Sequence, residues 1–71
     1  MPETIKKLAV EIEVGDVVEM RDLSYELRWT RVAAINYSYT KKTVCLYGPP
    51  DEHGYRLDRE VRASSMVEVR A

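Results

Sequence analysis

The chain has 71 residues, of which 45% are apolar and 32% charged, a composition typical of a folded globular protein rather than a disordered segment. A chain of this length forms a single domain, 1–71, that buries roughly 60% of the surface its unfolded state exposes, so we expect modest stability. Eleven basic and twelve acidic side chains leave a net charge of -1, which excludes a general positive field for nucleic acid.

Apolar and charged residues alternate strictly over 9–14, which places Val10, Ile12 and Val14 on one face of a half-buried strand. Residues 1–7 precede this strand as an arm that is either flexible or helical, because apolar residues at its end also follow a helical spacing. We expect the first strand to begin after this arm.

Gly15 and Asp16 form a tight turn that leads into a second strand at 17–20. The following stretch, 21–28, fits either a helix, because its leucines continue into a helical stripe, or a loop. We interpret it as a long polar loop followed by a strand at 29–37, because β-branched and aromatic residues there favour extended backbone.

A hairpin joins this strand to the next apolar run, and its turn sets the register between them. A two-residue turn at 40–41 pairs Ile35 with Leu46 and Tyr37 with Val44. Because paired side chains share one face, these four residues are predicted to line one side of the sheet.

Two of the three glycines and two of the three prolines fall within 48–54, which predicts an irregular loop. Alternation resumes over 55–61 as a further strand. Residues 63–66 then form a tight turn before a last short strand at 67–69. Short strands at this spacing, each ended by a turn signal, predict an all-β chain.

The order of these elements resembles an SH3-like small barrel, the fold shared by KOW, Tudor and related bacterial domains. The stretches that carry the resemblance are 14–18, 29–35, 43–47 and the ending 62–69. The ending resembles the 3₁₀ segment and final strand that close such barrels. The resemblance covers 11–70 and implies a five-stranded SH3-like barrel with a short 3₁₀ turn before the last strand.

Comparison with two SH3-like subfamilies gives more specific expectations about the ligand. A signalling SH3 domain has paired tryptophans and a proline-containing turn, whereas this chain has Trp29 alone and a Ser-Ser-Met turn at 64–66, so proline-rich ligands are not expected. The type II dihydrofolate reductases build a tetrameric pore around a Val-Gln-Ile-Tyr stretch, which Val-Cys-Leu-Tyr at 44–47 resembles without the glutamine. A pore-type reductase-like oligomer is therefore a remote alternative.

The chain has five tyrosines, one tryptophan and no phenylalanine, and tyrosine suits a surface that stays partly wet until a partner binds. Tyr25, Trp29, Tyr47 and Tyr55 are predicted to form a partner-binding surface. The alternative is that the large aromatic rings fill the core. Under the first interpretation the protein is a non-enzymatic module that binds another protein or itself as a homo-oligomer.

A local basic stripe is the footprint of nucleic-acid binding on a neutral protein. The candidate residues for it are Arg28, Arg31, Lys41, Lys42, Arg56 and Arg59. Acidic residues are interleaved with them, and alternating charge on a strand is usually a solvated face. A nucleic-acid-binding regulator is therefore the second hypothesis.

Catalytic and metal chemistry find little support in the sequence. His53 is the one histidine of the sequence, and no serine or cysteine lies at a sequence spacing that indicates a nucleophile paired with it. Cys45 lies mid-strand, where a cysteine usually packs as a small hydrophobe. One histidine and one cysteine are too few for a metal site, so we expect no catalytic residue, metal or cofactor.

The unpaired cysteine and the lack of a signal-like or membrane-length apolar run favour a cytoplasmic protein with no membrane partner. The resemblance implies a bacterial or phage origin.

Overall fold

The computed structural model describes residues 3–22 and 24–70, which form seven strands and one turn of 3₁₀ helix. The strands are β1 (Thr4–Leu8), β2 (Val17–Arg21), β3 (Leu27–Arg31), β4 (Ala34–Ser38), β5 (Thr43–Tyr47), β6 (Asp58–Arg62) and β7 (Met66–Arg70). The prediction of an all-β chain is confirmed. In the described part of the chain, no helix has the length and apolar character needed to cross a membrane.

The strands form one open antiparallel sheet in the order β1-β7-β2-β6-β5-β4, with β3 paired to the other edge of β2. β2 is the central strand, since β3 pairs along its whole length while β7 meets it at Val17 and β6 at Arg21. The described residues therefore form seven strands rather than the five that the resemblance implies or the six runs that the sequence pattern predicts, and the sheet is not a closed barrel.

One additional strand arises because the run predicted as a single strand at 29–37 is broken at Val32 and Ala33. The Val32 N–H donates to the carbonyl oxygen of Asp16 at 2.7 Å, and the Val32 carbonyl accepts from the Gly15 N–H at 2.9 Å. The Val32 side chain is buried in the core. The chain bends here to bury it, and the pairing partner changes from β2 to β5.

The other additional strand is β1, in the segment expected to be a flexible or helical arm at 1–7. Its residues pair with β7 from Thr4, opposite Arg70, to Leu8, opposite Met66. Residues 1 and 2 lie outside the described part of the chain.

The strand predicted at 9–14 does not form. Ala9–Glu11 is the 3₁₀ turn, and Val10 and Val14 are 54% and 65% exposed while Ile12 is buried. The reason lies in the topology of the sheet. β1 ends beside the start of β7, at Met66, whereas β2 begins beside the end of β7, at Arg70. The residues between β1 and β2 must therefore carry the chain back along the length of β7.

The 3₁₀ turn was expected before the last strand, and this placement is wrong. The chain there makes a hydrogen-bonded turn, in which the Ser65 N–H donates to the Arg62 carbonyl at 3.0 Å. The 3₁₀ turn at Ala9–Glu11 packs beside it, because the Ala9 N–H donates to the Ser65 carbonyl at 2.9 Å. The last strand predicted at 67–69 is confirmed.

The register predicted for the hairpin is confirmed, since Ile35 pairs with Leu46 and Tyr37 with Val44. The turn is longer than predicted, because four residues, 39–42, separate the last paired positions. Lengthening the turn by one residue on each side leaves its centre, and therefore the register, unchanged.

Both long connections are loops. The stretch 21–28 is not helical in its described residues, and its loop is shortened to 22–26; Leu23 within it lies outside the described part. The strand predicted at 55–61 begins late, so the irregular loop extends over 48–57.

In the part of the chain that the structure describes, nine small or medium residues form the buried core: Ala9, Ile12, Val18, Met20, Val32, Val44, Leu46, Val67 and Val69. Each fully buried valine, leucine or methionine contributes about 1.5–3 kcal/mol by leaving water. Among the described residues no tyrosine or tryptophan belongs to this core, although Trp29 and Tyr47 are half-buried. The aromatic rings therefore do not fill the interior.

Candidate binding groove

A groove of about 1020 Å³ lies between the β2–β3 loop at 22–26 and the loop at 48–57. Tyr25 and Tyr55 both line it, with 79% and 62% of their surfaces exposed. Leucine and proline side chains add apolar surface to its walls. The fold thus brings together two of the four aromatic residues predicted to bind a partner.

One wall is the Asp22 loop, residues 22–26, which the carboxylate of Asp22 organises. Its Oδ1 accepts hydrogen bonds from the backbone N–H of Ser24 at 2.9 Å and of Glu26 at 3.1 Å. Its Oδ2 pairs with Arg28 Nε at 2.8 Å. The hydrogen bond from the Ser24 hydroxyl, with the backbone donors and Arg28, lowers the pKa of Asp22 against a smaller effect of burial.

The opposite wall contains the Asp51 loop, residues 51–55. Asp51 Oδ1 accepts hydrogen bonds from the backbone N–H of His53 at 2.8 Å and of Tyr55 at 2.9 Å. The Asp51 N–H donates in turn to the Tyr55 carbonyl at 2.8 Å. The backbone of Tyr55 is therefore bound on both sides to one residue.

The two loops share the same hydrogen bonds at the same positions. In each, the aspartate Oδ1 accepts from the second and fourth residues after it, and the aspartate N–H donates to the carbonyl of the fourth. The third residue closes the loop by donating its N–H to the aspartate carbonyl at 3.0 Å. The sequence does not reveal this recurrence, because aspartate is the only residue type that the two five-residue segments, 22–26 and 51–55, share at an equivalent position.

The third position has left-handed backbone in both loops, and only one loop has glycine there. Gly54 has φ 83° and Tyr25 has φ 63°. A side chain at such a φ costs about 1–2 kcal/mol, because its Cβ crowds the following carbonyl. The exposed ring of Tyr25 has little packing to offset that cost.

Charges of both signs line the groove: Arg21, Arg28, Arg56 and Arg59 with Glu19, Asp22, Asp51, Asp58 and Glu60. Two of the arginines are tied to backbone, since Arg59 Nη1 donates to the Glu19 carbonyl and Arg21 Nη1 to the Tyr25 carbonyl, both at 3.3 Å. Within 3–22 and 24–70, Arg56 forms no ion pair. Its charge is therefore available to a ligand.

No protein family, curated protein or solved structure matches this chain. The function is therefore inferred from the groove's own residues.

The other two predicted aromatic residues lie outside the groove. The Trp29 ring is covered by Arg70, whose guanidinium carbon lies 4.3 Å from the ring centroid in a cation–π contact. Tyr47 is half-buried beside Cys45, and the negative charge that Cys45 carries once it ionises at high pH, together with burial, raises the pKa of the Tyr47 hydroxyl. The predicted aromatic surface is thus divided between the groove and two separate places.

The six candidate nucleic-acid residues do not form one stripe. Arg28, Arg56 and Arg59 line the groove. Arg31 Nη1 instead donates to the Gly15 carbonyl at 3.4 Å. The two lysines, Lys41 and Lys42, lie in the β4–β5 turn, at the end of β5 away from the groove.

Cys45 is a half-buried thiol and His53 is an exposed imidazole. Cys45 Sγ donates to Glu60 Oε2 at 3.4 Å, and burial followed by this contact raises the pKa of the thiol, so it stays protonated at neutral pH. His53 is an exposed side chain whose Nε2 lies 3.7 Å from Glu52 Oε1. Nowhere in the described residues do three potential metal ligands cluster.

Proposed function

We propose that this protein is a non-enzymatic binding module of SH3-like type that holds an extended segment of a protein partner between the Asp22 loop and the Asp51 loop. Tyr25 carries the proposal: an exposed aromatic residue occupies a backbone position that glycine takes in the matching loop. Strain of this kind concentrates at functional sites. The β2–β3 hairpin, the β4-β5-β6 meander and the return of β7 to β2 support the SH3-like type.

The chemistry of the groove indicates what such a segment would offer. The tyrosine rings of Tyr25 and Tyr55 present apolar faces with polar tips, and tyrosine and arginine are enriched where proteins meet. Arg56 supplies an unpaired charge for a carboxylate or carbonyl. The segment that fits best has an apolar side chain beside an acidic group.

A protein partner is favoured over nucleic acid by the sign of the charges. Five carboxylates line the groove with four arginines, and two of the carboxylates, Asp58 and Glu60, lie on β6 in its wall. A phosphate backbone in the groove would meet these carboxylates. Counterion release, which drives most non-specific binding of nucleic acid, would therefore contribute little binding free energy here.

The test uses peptides selected against the full chain from a random displayed library. Tyr25→Gly and Tyr55→Ala are each expected to weaken a selected peptide by about tenfold or more, since buried tyrosines dominate such contacts. Val14→Ala is the control, because this apolar residue is 65% exposed but lies outside the groove. Equal affinity of the groove variants and the wild type for every selected peptide contradicts the proposal.

A parallel titration with single-stranded and duplex DNA tests the second hypothesis. Binding that falls steeply with salt and is lost in Arg56→Ala would assign the groove to nucleic acid instead. No shift of either probe at low salt is the expected result.

A further inference from the structure

Three strands have one unpaired edge in the part of the chain that the structure describes: β1, β3 and β4. Free edges invite pairing with other chains, and charged side chains along them discourage it. β1 carries Lys6 and Lys7, and β3 carries Arg28 and Arg31. β4 has the sequence Ala-Ile-Asn-Tyr-Ser, without a charge, so it is the unprotected edge.

An apolar hollow of about 360 Å³ adjoins β4. The exposed side chains around it are Val10, Ile35, Tyr37 and Tyr39, and the Tyr37 and Tyr39 rings meet edge to face at 4.6 Å. Ile35 and Tyr37 are 36% and 37% exposed although their partners on β5 are fully buried. The unprotected edge and the exposed apolar surface thus coincide.

We propose that β4 pairs antiparallel with β4 of a second copy of this chain, forming a symmetric dimer with one continuous sheet. A two-fold axis at the middle of the strand sets Asn36 against its own copy and Ile35 against the copy's Tyr37, so no charges meet and the apolar side chains cover each other. The same operation on β1 sets Lys6 against its copy, which like-charge repulsion disfavours. Of these two strands, β4 is therefore the one at which pairing with a second copy brings no like charges together.

This dimer is independent of the proposed groove. No residue of β4 or β5 lines the groove, which is walled by β2, β3, β6 and their loops. Both grooves of the dimer stay open, and each dimer presents two of them. A partner with repeated segments would then bind with higher avidity than one with a single segment.

The mass of the full chain in solution, measured by light scattering over a range of concentrations, tests the dimer. The wild type is expected to double its mass as concentration rises. Asn36→Lys places like charges across the two-fold axis and is expected to abolish the dimer, whereas Thr4→Lys, the same charge on the opposite edge strand, leaves it intact. A monomer at every concentration up to the solubility limit overturns the proposal, as does a dimer that survives Asn36→Lys.

A cross-link provides a second test that does not depend on how Asn36→Lys folds. Asn36→Cys is combined with Cys45→Ser, because Cys45 lies directly opposite position 36 in the hairpin and would compete for the disulfide. Oxidation is expected to give a covalent dimer, since a residue on the axis faces itself at disulfide distance. Failure to cross-link, with Thr4→Cys/Cys45→Ser as control, overturns the proposal. Tyr25→Gly leaves the dimer unchanged, so failure of the groove and failure of the dimer are distinguishable.

Discussion

Tyr25 and Gly54 occupy equivalent backbone positions with positive φ. Removing the side chain at position 25 and adding one at position 54 should therefore change the free energy of unfolding in opposite directions. Tyr25→Gly is expected to raise the free energy of unfolding by about 0.5–1 kcal/mol, since relief of the left-handed strain exceeds the entropy that glycine loses on folding. Gly54→Ala is expected to lower it by about 1 kcal/mol. Urea unfolding of both variants measures this. A loss of stability in Tyr25→Gly would show that the ring is held by packing and not retained for binding.

Asp16 joins the turn before β2 to β1, and its ionisation should make stability depend on pH. Burial raises the pKa of Asp16, but the Glu13 N–H and Lys7 Nζ, both 3.0 Å from Oδ2, lower it by more, so the net shift is downward. Because folding lowers the pKa, the stabilisation is complete above the unfolded-state pKa of about 4 and disappears as pH falls through the folded-state value.

Asp16→Asn removes that titration. We expect it to lower the free energy of unfolding by about 1 kcal/mol at pH 7 and by less at pH 3, because protonation of the unfolded state has then already reduced the stabilisation in the wild type. Thermal unfolding at the two pH values measures the difference. A deficit that is the same at pH 3 and pH 7 would assign the role of Asp16 to its shape and not to its charge.

At the scale of elements, we expect the Asp51 loop to depend on an acceptor oxygen and not on a charge. Asp51→Asn keeps an oxygen for the His53 and Tyr55 N–H groups, whereas Asp51→Ala removes it. We expect the Tyr55 amide to exchange with solvent roughly tenfold faster in Asp51→Ala and nearly as in the wild type in Asp51→Asn. Amide exchange followed by NMR measures both. Equal exchange in the two variants would mean that the loop is ordered by other contacts.

The strand register that the sequence predicted correctly is one set by local pairing. The register of the β4–β5 hairpin follows from a turn centred between two alternating runs, and Ile35 opposite Leu46 confirms it. The alternation at 9–14 is equally clean, yet no strand forms, because the chain must return along β7 before β2 begins. The break at Val32 depends likewise on a bond to Asp16, sixteen positions earlier, which a local pattern does not contain.

The residues of the candidate site, like the strands, were predictable from the sequence only in part. Tyr25 stands out in the sequence as a tyrosine in a polar loop and Tyr55 as one that directly follows the irregular loop at 48–54, and both line the groove. Trp29 and Tyr47 carry the same signal, but their strands direct them to Arg70 and Cys45 instead. Which aromatic residues share a surface depends on strand pairing across the sheet, and this was not determined by the spacing of the residues in sequence.

For the molecule as a whole, we expect the nine buried residues found among those described to provide most of the stability, which for a domain of 71 residues is about 4–11 kcal/mol. Leu46→Ala is therefore expected to remove about 2–5 kcal/mol, much of the total, because it empties a fully buried site. Leu27→Ala is the control, since this leucine is 53% exposed and should lose less than about 1 kcal/mol. Urea unfolding compares them, and equal losses would mean that the core lies elsewhere.

The pairing of β1 with β7 has a consequence for synthesis of the chain on the ribosome. Thr4 and Arg70 are neighbours in the sheet but lie 66 positions apart in the chain, so β1 has no partner until β7 has been made. At about 5–20 residues per second, β1 waits roughly 3–13 s with both of its edges open. Lys6 and Lys7 discourage it from pairing with a neighbouring nascent chain during that interval, so the charges of this strand protect the protein before it is folded as well as after.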